Sequence, residues 1–293
     1  MHWGIDLGGT KIEGVILRED GTVVDRRRID TERAGGYDHI IARIALLVDQ
    51  MKEATGLVPA KIGMGTPGTI DPPTGLMKNS NTTVLNGKPL GEDLERVIGV
   101  PLTLANDANC FAVAEARLGC VPEVAPEAKV VFGIILGTGV GGGLVVNSQL
   151  LAGAQGIGGE WGHMYLDHSG GYCYCGRVGC VERILAGPSL EKYYANLSGR
   201  SLSMREIVPR YRAGNDPAAT ATLQRWFHFF AKGISTIINV IDPDVIVLGG
   251  GLGNIDELYT EGVPQVAKHL FNPRMDTKFL KPKLGDSAGV FGA

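Results

Sequence analysis

Two apolar runs bracket a glycine turn at the start of the chain, WGIDL (3–7) and KIEGVIL (11–17) around GGT. A third run, TVVDRRRI, follows the turn signal EDG, so residues 2–30 predict a strand meander. The period changes at 37–54, where Ile40, Ile44, Leu47, Val48 and Met51 fall on one face of a helix. Beyond it the pattern predicts a strand around KIGMGTPG, a Pro/Gly/Asn-rich loop over 66–89, and a short helix at 91–98. A strand at PLTLAND and a helix over 108–119, starting just after Asp107, come next. After 189 the chain reads as mostly helical, with a long apolar-faced helix over 217–241. The strand DVIVLGGG then ends in glycines 249–251, and the stretch from 252 opens another helix.

The opening pattern recurs. WGIDLGGTKIEGVIL (3–17) aligns without gaps on FGIILGTGVGGGLVV (132–146), an offset of 129. Gly4/Gly133, Ile5/Ile134, Leu7/Leu136, Gly8/Gly137 and Gly14/Gly143 are identical. Any two glycine-turned hairpins share some of this, but the preferred reading is a duplicated α/β unit whose copies each open with strand, turn and strand. No low-complexity linker separates the halves. The expected architecture is two lobes around a cleft: an N-terminal lobe over 1–119, to which a tail from about 280 to 293 returns, and a C-terminal lobe over 120–279.

Composition narrows the function. Lys plus Arg is 28 against 31 Asp plus Glu, a net charge of −3 with no basic cluster, which argues against a nucleic-acid binder. No apolar run approaches the ~18–20 residues of a membrane span, and the N-terminus has no secretory pattern, so a soluble cytoplasmic protein is expected. Glycine is the outlier, 43 of 293 residues, about twice the ~7% average. It is clumped at 8–9, 137–143, 156–159, 170–171 and 249–251, where backbone must come close to something.

DLGGTK (6–11) sets an acidic residue at a strand end before a tight turn, a hydroxyl and an ammonium. Backbone N–H groups at Gly8, Gly9 and Thr10 suit phosphate oxygens, Lys11 adds a charge, and Asp6 suits a partly hydrated Mg²⁺. The plainer reading is a hairpin with an exposed Lys, and the motif is not a P-loop. LGTGVGGG offers a second such turn at Gly137, Thr138 and Gly139. LGGGL places Gly249, Gly250 and Gly251 where a nucleotide base and ribose could lie against backbone, although a simple strand–helix turn looks similar. In LANDANC, Asp107 is a candidate general base for a substrate hydroxyl beside Asn106; the alternative is a helix N-cap. Glu160 and Glu182 are carboxylates of the kind that accept sugar hydroxyls, or simply surface glutamates.

The most specific signal is GGEWGHMYLDHSGGYCYCGRVGCVER (158–183). His163, Cys173, Cys175 and Cys180 make a Cys₃His set, a standard closed site for structural zinc. His168 competes for the fourth position because it lies nearer in sequence.

Together DLGGTK, GTPG, NDAN, ILGTGVGGG, GExGH, CxCGxxGC followed by xE, and DPDVIVLGGG resemble the ROK family (repressors, open reading frames, kinases) across essentially the whole chain. The family lies within the actin/hexokinase-like, ribonuclease H-like superfamily. The resemblance implies duplicated actin-like lobes around a sugar–ATP cleft, with Asp107 as catalytic base and Asn106, Glu160, His163 and Glu182 as sugar ligands. It also implies His163 as a zinc ligand with Cys173, Cys175 and Cys180, and a homodimer. NSNTTVLNGKPLGEDL (79–94) is similar to the bacterial fructokinases and mannofructokinases of the family, which places Asn81 by the sugar. Fructose or mannose is therefore expected ahead of glucose and N-acetylglucosamine, with Thr82, Thr83 and Leu85 crowding an N-acetyl group. Family repressors carry an N-terminal DNA-binding segment, for which a strand beginning at residue 2 leaves no room.

The expected activity is ATP- and Mg²⁺-dependent phosphorylation of a hexose 6-hydroxyl, a reaction that asks mainly for positioning and charge stabilisation. Competing classes are a non-catalytic sugar-sensing regulator, an actin-like ATPase and a zinc hydrolase. An intact Asp107 argues against the first, the cysteine loop against the second and the closed ligand set against the third.

Overall fold

β1 (His2–Leu7) pairs antiparallel with β2 (Lys11–Leu17), and β2 with β3 (Val23–Asp30), so the opening meander forms as its pattern predicts. On the other side of β1, β4 (Ile62–Thr66) and β7 (Leu102–Asn106) continue the sheet in parallel, giving the order β3-β2-β1-β4-β7. Between them β5 (Thr69–Ile70) and β6 (Met77–Lys78) form a small hairpin of their own. α1 (Tyr37–Thr55) buries the five residues its spacing picks out, and α2 (Leu90–Ile98) adds Leu90 and Leu94 to the same core. Each such fully buried aliphatic side chain contributes roughly 1.5–3 kcal/mol of burial.

A second sheet repeats the plan. β8 (Val130–Leu136), β9 (Val140–Val146), β10 (Gln149–Leu150), β11 (Val245–Gly249) and β12 (Lys278–Leu280) stand in the order β10-β9-β8-β11-β12. β11 runs parallel to both β8 and β12, as β4 does to β1 and β7. The offset of 129 carries Leu7 onto Leu136, and Lys11–Leu17 onto Val140–Val146, the whole of β9. The duplication seen in the residues is a duplication of strand order.

This computed structural model describes residues 1–285 and 288–293. The chain forms two compact units, one of 1–124, 143–158 and 283–293, the other of 125–142 and 159–282. The first contains α3 (Asp107–Arg117), α4 (Val121–Val124) and α10 (Ala288–Gly292). The second contains α5 (Glu182–Leu185), α6 (Gly187–Ser198), α7 (Met204–Ala213), α8 (Pro217–Ile241) and α9 (Val263–Val266).

Residues 143–158 thus differ from the sequence expectation by grouping with the first unit. The Arg117 guanidinium donates to the Ser148 carbonyl at 2.9 Å, and Leu151 N–H to the Leu144 carbonyl at 2.8 Å. The tail is held by the buried Glu115 carboxylate, which accepts the N–H groups of Lys283 and Leu284 at 3.0 and 2.8 Å. Asp286 and Ser287, part of the expected tail, lie outside the described residues.

α8 matches its predicted span, capped by Asp216, and buries Trp226, Phe227 and Phe230. The helix expected from 252 does not form as one rod. Short 3₁₀ turns at Gly251–Asn254 and Ala267–His269 flank a wide turn at Leu258–Gly262 and the four-residue α9. Pro264 lacks the N–H that a continuous helix would need. Among the described residues no helix is long and apolar enough to cross a membrane.

Candidate active site

In the first unit, Asp107 is the first residue of α3, directly beyond the C-terminal end of β7. Ligands of parallel α/β sheets gather at that end of the strands. The capping residue is Asn106, whose Oδ1 accepts Ala108 N–H at 2.9 Å. Asp107 Oδ1 accepts the same N–H at 2.7 Å. Burial lifts the Asp107 carboxyl above its ordinary range, against the pull of the Ala108 N–H and the Asn106 side chain.

Asp6, at the end of β1, is pushed up to about 7, first by burial and then by the charges of Asp107 and Glu13, with Arg28 opposing. Glu13 stands directly across the ladder from Asp6 and is paired with Arg26 and Arg28 of β3. A Cβ on Gly289 of α10 would stand 3.4 Å from the Asp6 carboxyl, so helix backbone closes one side of it. A buried carboxyl raised in part by the charges of neighbouring carboxylates fits a divalent cation, which would relieve that repulsion.

The turn beside Asp6 is tight. Gly8 N–H donates to the Lys11 carbonyl at 2.9 Å, and Thr31 Oγ1 to the Gly8 carbonyl at 2.7 Å. Among the described residues the N–H groups of Gly9 and Thr10 have no partner and the exposed Lys11 has no ion pair. These are the donors a phosphate would use. Asn81 is exposed, and its N–H reaches the Pro67 carbonyl at 3.4 Å. Its neighbours correct the sequence reading: Leu85 is fully buried in the first unit's core, Thr82 is buried and Thr83 is exposed. Leu85 packs there with β1, α1 and α2, so the crowding expected of these residues loses its main member.

In the second unit, the turn between β8 and β9 closes by a Gly137 N–H bond to the Gly139 carbonyl at 3.0 Å. Gly250 has φ +77, and a Cβ there would meet the Leu136 carbonyl at 2.3 Å, so the turn after β11 lies directly on the end of β8. Gly137, Thr138 and Gly251 line a cavity of about 620 Å³, whereas Gly139, Gly249 and Gly250 do not. Its far wall comes from α7, through Met204, Arg205 and Val208, with Glu191 of α6 and Asn254. Sequence reasoning missed these residues. The box that starts α7, Ser203 with Glu206, marks a helix end but not a ligand.

Glu160 immediately precedes the 3₁₀ turn Trp161–His163. Trp161 is buried, its edge on Phe132, and its Nε1 donates to the Gly141 carbonyl at 3.2 Å, which pins GEWGH to β9. Glu182 opens α5. One of its carboxylate oxygens accepts Val140 N–H at 3.1 Å.

The four expected metal ligands converge. One ligand atom each from His163, Cys173, Cys175 and Cys180 lie within 4.8 Å of one another; His168 is not in the group. Cys173 Sγ stands 3.6 Å from His163 Nδ1, and Cys175 Sγ 3.6 Å from Cys180 Sγ. A tetrahedron with Zn–S and Zn–N bonds of ordinary length has edges of about 3.6–3.8 Å, so the donor set fits zinc. The other ring nitrogen, His163 Nε2, meets Tyr174 Oη at 3.0 Å.

The comparisons agree with this geometry. The ROK family matches residues 2–293. An N-acetyl-D-glucosamine kinase of Histophilus somni (strain 129Pt) is 36% identical over 100% of this chain and 97% of its own length. Among solved structures, a ROK hexokinase from Thermus thermophilus superposes with a TM-score of 0.88 at 29% identity, covering 99% of this chain and 95% of that one. A ROK family glucokinase from Streptomyces griseus, in complex with glucose and AMPPNP, gives a TM-score of 0.80 at 25% identity, over 99% and 97% of the two chains. With matching motifs, strand order and relatives along its whole length, the chain belongs to the ROK family.

Proposed function

We propose that the protein is an ATP-dependent hexose kinase that phosphorylates the sugar's 6-hydroxyl, with Asp107 as the general base. The observation behind this reading is the Asp107 carboxyl: fixed at the first turn of α3, oriented by Ala108 N–H and raised in pKa by burial. A base is most effective when its pKa lies near the working pH. Asp107 takes the hydroxyl proton as that oxygen bonds to the γ-phosphorus; the bond to the bridging oxygen breaks and ADP leaves.

Gly8, Gly9, Thr10 and Lys11 offer phosphate donors in the first unit, and Gly137, Thr138 and Gly139 offer them in the second. The glycines 249–251 and the α7 wall take the base and ribose. Asp6 would hold Mg²⁺, which would supply charge neutralisation for the phosphates. Asn106 offers an amide N–H to a sugar hydroxyl, Glu160 and Glu182 supply acceptors, and His163, with Nδ1 on the metal side, offers its Nε2–H as a donor. Zinc on His163 and the three cysteines is structural, with no open position for chemistry.

For the sugar, N-acetylglucosamine comes first. Full-length relatives named for it support this reading, and the burial of Leu85 weakens the steric argument against an N-acetyl group. The fructokinase expectation has no such support among the relatives; the similarity at 79–94, with Asn81, keeps fructose or mannose as the second reading. A coupled ADP-release assay over N-acetylglucosamine, glucose, mannose and fructose tests both. The highest kcat/KM is expected for N-acetylglucosamine. A preference of about tenfold, ~1.4 kcal/mol, for fructose or mannose would install the second reading. No sugar-dependent ADP release would overturn the kinase reading.

A further inference from the structure

Four backbone N–H groups crown the hairpin between β8 and β9. That of Gly137 goes to the Gly139 carbonyl at 3.0 Å, and that of Val140 to Glu182 Oε2 at 3.1 Å. Those of Thr138 and Gly139 have no partner among the described residues. The Glu182 carboxylate also lies directly against the turn, since a Cβ on Gly139 would stand 2.7 Å from Oε2.

The same segment makes a second attachment. Gly187 N–H donates to the Gly137 carbonyl at 2.8 Å, while the Glu182 carbonyl accepts Ser189 Oγ at 3.2 Å across the α5–α6 corner. Glu182 follows the four-donor cluster closely. Cys180 is two residues earlier, and Val181 N–H bonds the carbonyl of Met164, the residue after His163, at 2.9 Å.

We infer that Glu182 is a positioning residue for the phosphate turn, linking it to the cysteine loop. By taking the Val140 N–H it fixes the conformation in which Thr138 and Gly139 keep unspent donors for an anion. The inference rests on the kinase reading and gives Glu182 a nucleotide-side duty besides the sugar-side one. Oε2 is committed to the turn; Oε1 has no partner among the described residues and serves the sugar. The two duties separate chemically. A glutamine still offers a carbonyl oxygen to Val140 N–H but no longer an anionic acceptor to a sugar hydroxyl. An alanine offers neither.

The test is calorimetric titration of the zinc-containing protein with Mg·ADP in the absence of sugar, with zinc content measured for every variant. Glu182→Gln should bind ADP within about threefold of wild type, and Glu182→Ala about tenfold more weakly, the effect of one lost hydrogen bond. Gly139→Ala, which pushes the carboxylate off the turn, should weaken ADP as Glu182→Ala does and add little to it in the double variant. Glu182→Ala binding ADP as tightly as wild type would overturn the inference, as would Glu182→Gln as weak as Glu182→Ala. Wild-type protein with no ADP affinity would overturn the kinase reading, and this inference with it.

Discussion

The first glycine turn closes with Gly8 N–H on the Lys11 carbonyl, the second with Gly137 N–H on the Gly139 carbonyl, and each leaves two successive N–H groups without a partner among the described residues. Their chemistry differs. Around the first turn charged groups crowd in, Asp6, Lys11 and Glu13 from its own hairpin, with Asp107, Arg28 and Arg33 from neighbouring elements. The second carries no ionisable side chain between Leu136 and Val140, and takes its carboxylate from Glu182, 42 residues after Val140 in the chain. On the proposed reading, each copy of the duplicated turn keeps backbone donors suited to an anion, and the side chains around it set its duty, metal and proton at the first, nucleotide position at the second.

The widest gap between the two regions should appear at Asp107, in the first unit. Asp107→Asn keeps the shape but cannot accept a proton, and kcat should fall by ~10²–10⁴-fold. Sugar affinity measured by calorimetry should change little. Retention of more than about a tenth of kcat would remove the general-base role.

Asp6 gives the next effect, through pH. Its folded pKa of about 7 lies above the unfolded value near 3.8, so between those values the folded chain holds a proton that the unfolded chain has released. Asp6 therefore costs stability progressively as pH rises from about 4 to about 7. Asp6→Asn should stabilise the protein more at pH 8 than at pH 5, by up to ~2.5 kcal/mol in urea unfolding. In the wild type, apparent Mg²⁺ affinity should weaken below about pH 7 as the carboxylate is protonated. An equal effect of Asp6→Asn at both pH values would contradict this.

The cysteine loop tests the other side. Cys175→Ser should lose zinc by elemental analysis and weaken sugar binding by ~10-fold or more, since Glu160, His163 and Glu182 are set around the loop. Fully active protein with no zinc would refute it. The smallest expected effect is at Asn81, where Asn81→Ala should cost ~1 kcal/mol in kcat/KM by leaving a sugar hydroxyl unpaired. An unchanged kcat/KM would place Asn81 outside the sugar site.

What could be read from the residues alone was whatever local pattern controls. The two hairpins, α1, α8 and the convergence of His163 with three cysteines follow from period, turn chemistry and spacing. The preference for His163 over His168 runs against sequence proximity, and the geometry supports it. The Glu182–Val140 bond and the α7 wall of the cavity needed the fold, because their partners are far apart in sequence and share no motif. Leu85 shows the opposite error: a residue placed in a pocket by resemblance lies in the core, because its 3₁₀ turn at Thr83–Leu85 faces it inward.

The central claim is that a phosphoryl group moves from ATP to a sugar. Incubating the protein with ATP, Mg²⁺ and N-acetylglucosamine and following the products by ³¹P NMR tests it directly. The expected result is a monoester signal coupled to the C6 protons, growing as ADP forms and absent with Asp107→Asn. ADP and inorganic phosphate appearing at the same rate without sugar, or no turnover with any of the four hexoses, would contradict it.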